Sequence, residues 1–562
     1  MNGFSTIGPA SGKSVTCFAG RAARRRIAST CCVLLALAAS FASLPAAGLA
    51  GESLQAQGGR AANQTVLPHP AENPPPATPS AAVTAAAGKP TTAERLFRAG
   101  VGVVDITPRT LPVIVNGGFT ERRIDQITDR LHVRAMALDD GGHKAVIAVV
   151  DSCLIPRSLL DEAKRRAVEA TGVPVDRMLI SATHTHSAPS VAGVLGGEVQ
   201  RDYAEQLPVW IAEAIEKAVN NLQPAQVGWA VLPDPRNVFC RRFRMKPGTA
   251  PTNPFSGKSN DQAQMNPGHQ NRNAIERTGP VDPDVSVLCV RSHDGRPLAL
   301  LANYSTHYAG APGISADYFG EFCRLIDEKW NTSRRGDFTA LMTNGTSGDA
   351  NCIDFVHPLR KFNHRTVAAD VAETALKAAA EAKWFDWVPL VMIERKMTLD
   401  VRTPSKEEVD RAGEVLAAMG DRLPRTLVEV YARETVLLHQ MPPTRELKLQ
   451  VIRLGGLGIA AIPCEAFGST GLTIKAKSPL KPTFTISLAN GAQGYIAPPE
   501  QHAIGGYTTW RARSSCLEEQ AEPKIRDAIL EMLDEAAKRR ADEAPVPATM
   551  LYPAAPHPAK SE

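Results

Sequence analysis

No two of the cysteines beyond position 50 form a CxxC pair. The seven, Cys153, Cys240, Cys289, Cys323, Cys352, Cys464 and Cys516, are scattered along the chain. An odd number at such spacing excludes a disulfide framework and a thiolate zinc site, and leaves small buried apolar groups. Excess charge is lacking too. The chain has 63 basic and 58 acidic residues, but five of the basic ones lie in the first 26 positions, so beyond position 50 the signs balance at 58 each. That balance removes the basic patch a nucleic-acid partner requires. Aromatics are few, at 5%, and no internal repeat is visible. What remains is ordinary globular composition, 43% hydrophobic and 22% charged over 562 residues, enough for a large core.

The N-terminus stands apart. Lys13, Arg21, Arg24, Arg25 and Arg26 precede an apolar, small-residue run from Ile27 to Ala50, with no acidic residue. This order of regions predicts an export signal over 1–50, with a single N-terminal membrane anchor as the other reading. Residues 51–94 are rich in Ala and Pro and predict a disordered linker. Order is expected over 95–540, with a frayed tail over 541–562. Within 95–540, hairpins such as "HVRAMALDDGGHKAVIAVVD" and "VSVLCVRSHDGRPLALLANYSTH" alternate with helical patterns such as "SLLDEAKRRAVEATG". The expected fold class is α/β, with mixed β-sheets, flanking helices and a single large catalytic domain. The polar stretch Lys246–Asn273 reads as a long inserted loop.

Polar groups recur at the ends of apolar strands. "LISATHTH" ends at His184 and His186, "LALLANYSTH" at His307, "GIAAIPCE" at Glu465, and "FTISLANGAQGY" at Tyr495. Strand periodicity predicts that His184 and His186 share one side of their strand. Two imidazoles and a carboxylate make a zinc set with positions left for water or substrate. Each residue also has a structural reading: a capped surface feature, a hydrogen-bonded strand-end histidine, or a charge at a helix N-terminus.

Six segments then occur in order: "VGVVDITP", "DRLHVRAMAL", "THTHSAPS", "NYSTHYAG", "IPCEAF" and "NGAQGYIAPPEQHAIGGY". On these the chain resembles the neutral/alkaline, non-lysosomal ceramidase family, over its N-terminal catalytic domain and as far as Trp510. The resemblance implies a Zn2+ amidohydrolase, and the expected N-terminal signal would make it exported, periplasmic or extracellular. It would convert ceramide-like lipids to fatty acid and sphingoid base by attack of zinc-bound hydroxide. Its partners would be a lipid or other N-acyl amide substrate and a peripheral membrane contact. The resemblance implies His184, His307, Glu465 and Tyr495 as zinc ligands. It implies His186, Arg241 and Tyr507 as donors to the reacting carbonyl.

The chain also departs from the family. In "TNGTSGDANCIDF", Asn351 stands where the family has a serine beside the zinc, flanked by Gly348 and Asp349 as candidate substrate-binding residues. Asn351 is expected to orient water or bond the carbonyl, and Cys352 is a displaced alternative nucleophile. Cys240 and Arg242 depart from the family's Asn-Arg-Ser segment, and the residues after Trp510 are expected to form only a helix and tail rather than the family's C-terminal β-sandwich. Two other readings follow from these departures: a zinc hydrolase of a different amide or ester, or a catalytically silent binding protein.

Overall fold

The computed structural model describes residues 96–330 and 338–548. All of them fall in the second of two compact units, which spans 86–562. The expected leader and linker lie outside the described residues. Of the expected tail, Val546–Pro547 pairs with Phe385 and Trp387.

The main sheet has ten strands, eight of them in one continuous path. The path runs Thr339–Asn344, Pro297–Tyr304, Asp284–Ser292, Gln223–Pro233, Arg98–Asp105, His132–Asp139, Lys144–Val150, Met178–Ala182. Inner neighbours are antiparallel, but both ends of the path are parallel pairs. At the middle only Arg98↔Pro224 and Ala99↔Gln223 join the halves. Side chains of both halves meet in one core, Met136, Ile147 and Leu179 with Leu288, Leu301 and Leu341. A four-stranded sheet, Leu390–Asp400, Thr444–Leu454, Leu457–Ala461 and Thr483–Ile486, adds Met392, Ile452, Ile459 and Phe484 to that core.

Helices cover the outer faces. Leu160, Ala163, Leu207 and Ile211 pack on one half of the main sheet, and Tyr318, Phe322, Val367 and Val371 on the other. Ile525, Ile529 and Met532 cover the four-stranded sheet. Strands are therefore buried on both faces. In Lys144–Val150, Ala145, Ile147 and Val149 face the central core while Val146, Ala148 and Val150 face the helices. This is why the strand reads as an unbroken apolar run rather than an alternation. The helix Arg157–Thr171 stops at Gly172, whose φ of 71° is the left-handed cap glycine permits.

Two expectations need correction. The strand carrying the histidine pair ends at Ala182, and His184 has φ 76°, so strand periodicity does not govern His184 and His186. The reversal follows from hydrogen bonds made beyond the strand, Thr183 N–H to Val150 O at 2.9 Å and His184 N–H to Ser152 O at 2.8 Å. Nor is Lys246–Asn273 loop throughout. Ala263–Met265 pairs antiparallel with Arg242–Met245, which pairs in turn with Ala274–Arg277.

A short segment after Thr483–Ile486 crosses the ends of three strands. Ser487 N–H reaches Asn344 O at 3.0 Å and Leu488 N–H reaches Cys464 O at 3.2 Å. Leu488 O accepts from Ala182 N–H at 3.2 Å, and Asn490 N–H reaches Ile180 O at 2.8 Å. The C-terminal ends of both parallel edge pairs, where ligands of α/β sheets gather, are thereby brought together.

Asp327, on the helix Asp317–Trp330, accepts the Ala340 N–H at 2.9 Å. Burial pushes its carboxyl up to about 6. A carboxyl raised above its unfolded value of about 3.9 contributes stability below that value and loses it as pH rises toward the folded pKa. Asp327→Asn should therefore raise the Tm by a few degrees at about pH 7.5 and leave it nearly unchanged at about pH 4. Thermal unfolding at both pH values checks this.

Candidate active site

The strand ends deliver their polar groups to one buried point. His184 sits just past Met178–Ala182, and its Nδ1 donates to Cys153 O at 2.7 Å. His307 follows Pro297–Tyr304, and its Nδ1 lies 3.3 Å from Ser347 O. Carbonyls holding Nδ1 leave both Nε2 atoms facing inward, the arrangement metal-binding histidines use. The two Nε2 atoms are 3.0 Å apart. Glu465 is the register partner of Tyr495 in a short parallel bridge. Its Oε2 lies 3.3 Å from His184 Nε2 but has no aligned hydrogen-bond donor, although it is buried. The ligand atoms of His184, His307 and Glu465 all lie within 4.8 Å of one another.

The donor set fits a zinc ion. With both Nδ1 atoms at carbonyls, the Nε2 lone pairs of two neutral imidazoles face each other beside a buried carboxylate oxygen, an arrangement that a proton on His184 or a metal cation in its place relieves. Cys153, His184 and His186 form a second cluster within the same spacing. It competes poorly, because His184 Nδ1, the atom nearest Cys153 Sγ, already bonds the Cys153 carbonyl.

Electrostatics follow from burial. Burial works against a His184 imidazolium, but the Glu465 carboxylate outweighs it and holds the pKa up at about 10. Burial, then the neighbouring positive charge, holds His186 and His307 well below the usual imidazole range. Burial pushes Tyr495 well up, reinforced by Glu465, so its phenolate needs a cation stronger than Arg241 alone.

The remaining residues surround this point. His186 Nε2 is 3.3 Å from His184 Nε2. Arg241 is 4% exposed, and its Nη2 donates to Gly348 O at 3.0 Å and Tyr495 Oη at 3.2 Å. Tyr507 stands with its ring 5.5 Å from that of Tyr495. Gly348 accepts from Arg241 and donates its N–H to Ala466 O at 2.8 Å. A Cβ at Gly348 would come within 2.9 Å of the Glu465 and Ala466 carbonyls, so only glycine fits. Asp349 Oδ1 accepts the Gly468 N–H at 2.8 Å, and burial pushes its carboxyl up to about 6. Gly348 through its N–H, and Asp349 through its side-chain oxygen, thus brace the Glu465–Gly468 segment.

Asn351 is engaged elsewhere. Its Nδ2 donates to Asn266 Oδ1 at 3.2 Å and its Oδ1 accepts from Ile353 N–H at 2.9 Å. Cys352 is buried, which pushes its thiol up to about 12 and disfavours the thiolate a nucleophile needs. All seven cysteines from Cys153 to Cys516 are free and buried.

Sequence reasoning missed several contributors. Tyr308 stacks on His186, with centroids 3.7 Å apart and planes 20° from parallel. Its position directly after His307 was the available signal. Gly117, at φ 96°, lies against the His186 ring, where a Cβ would come within 2.3 Å. Asp317 accepts from the N–H groups of Ala309, Gly310 and Ala311 at 2.9 Å and so orders the turn after His307.

Fold and site together define a mixed α/β protein with a buried His-His-Glu centre flanked by an arginine and two tyrosines. No family model matches the sequence. Over 275 residues the chain is 24% identical to neutral ceramidase A of Dictyostelium discoideum, a match covering 45% of this chain and 35% of that protein. The chain therefore spans about a third of the curated relative it matches. The fold is shared with a crystal structure of neutral ceramidase from Pseudomonas aeruginosa, at TM-score 0.59 and 18% identity over 82% of this chain and 77% of that one. A structure described as ceramidase complexed with C2 gives TM-score 0.58 and 17% identity, covering 82% and 78%. These findings support a relationship to the neutral ceramidase family.

If the centre takes zinc, the metal binds the folded state and raises its Tm by mass action. Added zinc should raise the Tm of the protein and leave that of His307→Ala unchanged, as thermal scans of both with and without the ion will show.

Proposed function

We propose that this chain is an exported, zinc-dependent amidohydrolase that cleaves the N-acyl bond of ceramide-type lipids. The observation that carries the reading is the convergence of His184, His307 and Glu465 on one buried point beside Arg241 and Tyr507. The relationship to neutral ceramidases supports the substrate class, and the basic-then-apolar N-terminus supports export.

His184, His307, Glu465 and Tyr495 would hold the ion. Zinc there would supply Lewis acidity, acidifying water and polarising the amide carbonyl at neutral pH. Arg241 contributes a fixed positive charge beside the reacting carbonyl. Its Nε is buried without a partner, which leaves a donor for the oxyanion. Burial keeps Tyr507 protonated, so its hydroxyl can donate as well. The resemblance makes His186 a donor to the carbonyl; because burial keeps it neutral, its proposed role is instead to accept a proton from water and return it to the departing nitrogen. Water oxygen adds to the carbonyl carbon, the C–N bond breaks, and fatty acid and sphingoid base leave.

Asn351 hydrogen-bonds Asn266 and the Ile353 backbone, so its contribution is to shape the loop after Gly348 rather than to attack. No described helix is long and apolar enough to cross a membrane. Contact with a lipid surface is proposed as peripheral on the chemistry of the proposed lipid substrate.

The protein should release fatty acid from a short-chain fluorescent ceramide, and a zinc chelator should stop it. His186→Ala should keep the zinc-induced rise in Tm and lose about 100-fold or more in rate. Full rate in that variant refutes the assigned role. Turnover of other amides or esters, with none of ceramide, moves the substrate class.

A further inference from the structure

Arg242 is completely buried, at 0% exposure. Among the described residues no carboxylate pairs with it. Its donors go to one turn instead. Nε bonds Gln501 Oε1 at 2.9 Å, Nη1 bonds Thr508 Oγ1 at 3.2 Å, and Nη2 bonds Gln501 O at 3.0 Å. Nη2 also bonds Gly505 O. A buried guanidinium without an ion pair is unfavourable, and burial lowers its pKa to about 10. Such a group is a poor choice for stability, so its geometry calls for another account.

The turn it grips carries Tyr507. Gly505 and Gly506 have φ of 70° and 90°. A Cβ at Gly505 would meet Asp261 Oδ1 at 2.3 Å, and one at Gly506 would meet Ala263 O at 2.6 Å and Arg242 Nη1 at 3.0 Å. The turn is thus threaded between Arg242 and the Lys246–Asn273 insertion. The insertion holds the other side: Gln262 N–H donates to Ile504 O at 2.8 Å, and Trp510 Nε1 donates to Asp261 Oδ2 at 2.7 Å.

Arg241 and Arg242 divide the work by direction. Adjacent residues in extended chain point to opposite sides. Arg241 reaches Tyr495, and Arg242 reaches the turn bearing Tyr507. We infer that Arg242, with the Lys246–Asn273 insertion, is a positioning residue that fixes Tyr507 toward the reacting carbonyl. The inference rests on the proposed hydrolase reading for its catalytic consequence, but not for its structural one.

The test combines backbone hydrogen exchange with a double-mutant cycle on the full-length, zinc-loaded chain. Arg242→Gln should speed exchange at the 501–510 amides by about tenfold or more, with little change elsewhere. On a short-chain fluorescent ceramide it should lower kcat by about tenfold to a hundredfold with KM nearly unchanged. The double variant Arg242→Gln/Tyr507→Phe should be no slower than Tyr507→Phe alone, since Arg242 acts through Tyr507. Arg242→Lys keeps the buried charge without the two-carbonyl fork. It should show the same pattern more weakly, and it replaces Arg242→Gln should that variant not fold. Unchanged exchange over 501–510, or rate losses that multiply in the double variant, overturns the inference. If Tyr507→Phe keeps full rate, the assignment of Tyr507 fails instead, and the exchange result still decides for or against Arg242.

Discussion

The structure depends on the four residues from Ser487 to Asn490. Their backbone groups bond Asn344, Cys464, Ala182 and Ile180, and so tie together the ends of strands from two sheets. A buried backbone group must find a partner, so a segment that satisfies three strand ends at once leaves little freedom in how those ends lie. Leu488 and Asn490 take left-handed φ values of 52° and 62° to do it. The Asn490 amide adds a bond to Gln450 Oε1 at 2.7 Å, which reaches the four-stranded sheet. His184, Ser347 and Glu465 all follow within a few residues of the tied ends.

Charge distribution at the centre follows from this convergence. Glu465, His184 and Arg241 are all buried within one small volume. Low dielectric strengthens each attraction and each penalty there. Carbonyls of Cys153 and Ser347 turn both histidines so that their free nitrogens crowd together, and the Glu465 oxygen beside them has no donor. This arrangement is not one that stability alone selects. Its unfavourable features are all ones that a cation relieves. A second tier supports the first: Gly348 and Asp349 brace the Glu465 segment, Asp317 the turn after His307, and Tyr308 the face of His186.

The insertion and the paired arginines extend the same logic to the far wall. Phe119 packs on Tyr507 at 5.0 Å, and Trp510 packs on Tyr431 at 5.5 Å. Four aromatics thus form a cluster beside the centre. The helix Leu427–His439 contributes Val430 and Tyr431 to this cluster. Arg513, bonded to the fully buried Glu434, ties the helix to the chain just past Trp510.

Much of this was legible in the sequence. The apolar runs ending in His307, Glu465 and Tyr495 marked strand ends, because burial on both faces leaves a continuous apolar signature and a polar residue breaks it. The hairpin turn at Asp294-Gly295 and the stop at Gly172 were readable because positive φ strongly favours glycine. Less was legible where partners are distant in sequence. The strand Ala263–Met265 looks like loop, since its pairing is decided by Arg242–Met245 rather than by its own polar residues. The helix Asp317–Trp330 follows a Gly- and Pro-bearing stretch that hides its start. The sequence by itself determined the long helices, the buried strands and the chemical character of the residues at their ends. Tertiary structure alone decided that those ends meet, that His184 turns on a left-handed backbone toward His307, that Asn351 is engaged by Asn266, and that Arg242 grips the turn of Tyr507. Each of these is a contact between residues at least 80 positions apart, or depends on one, and local pattern carries no information about such distances.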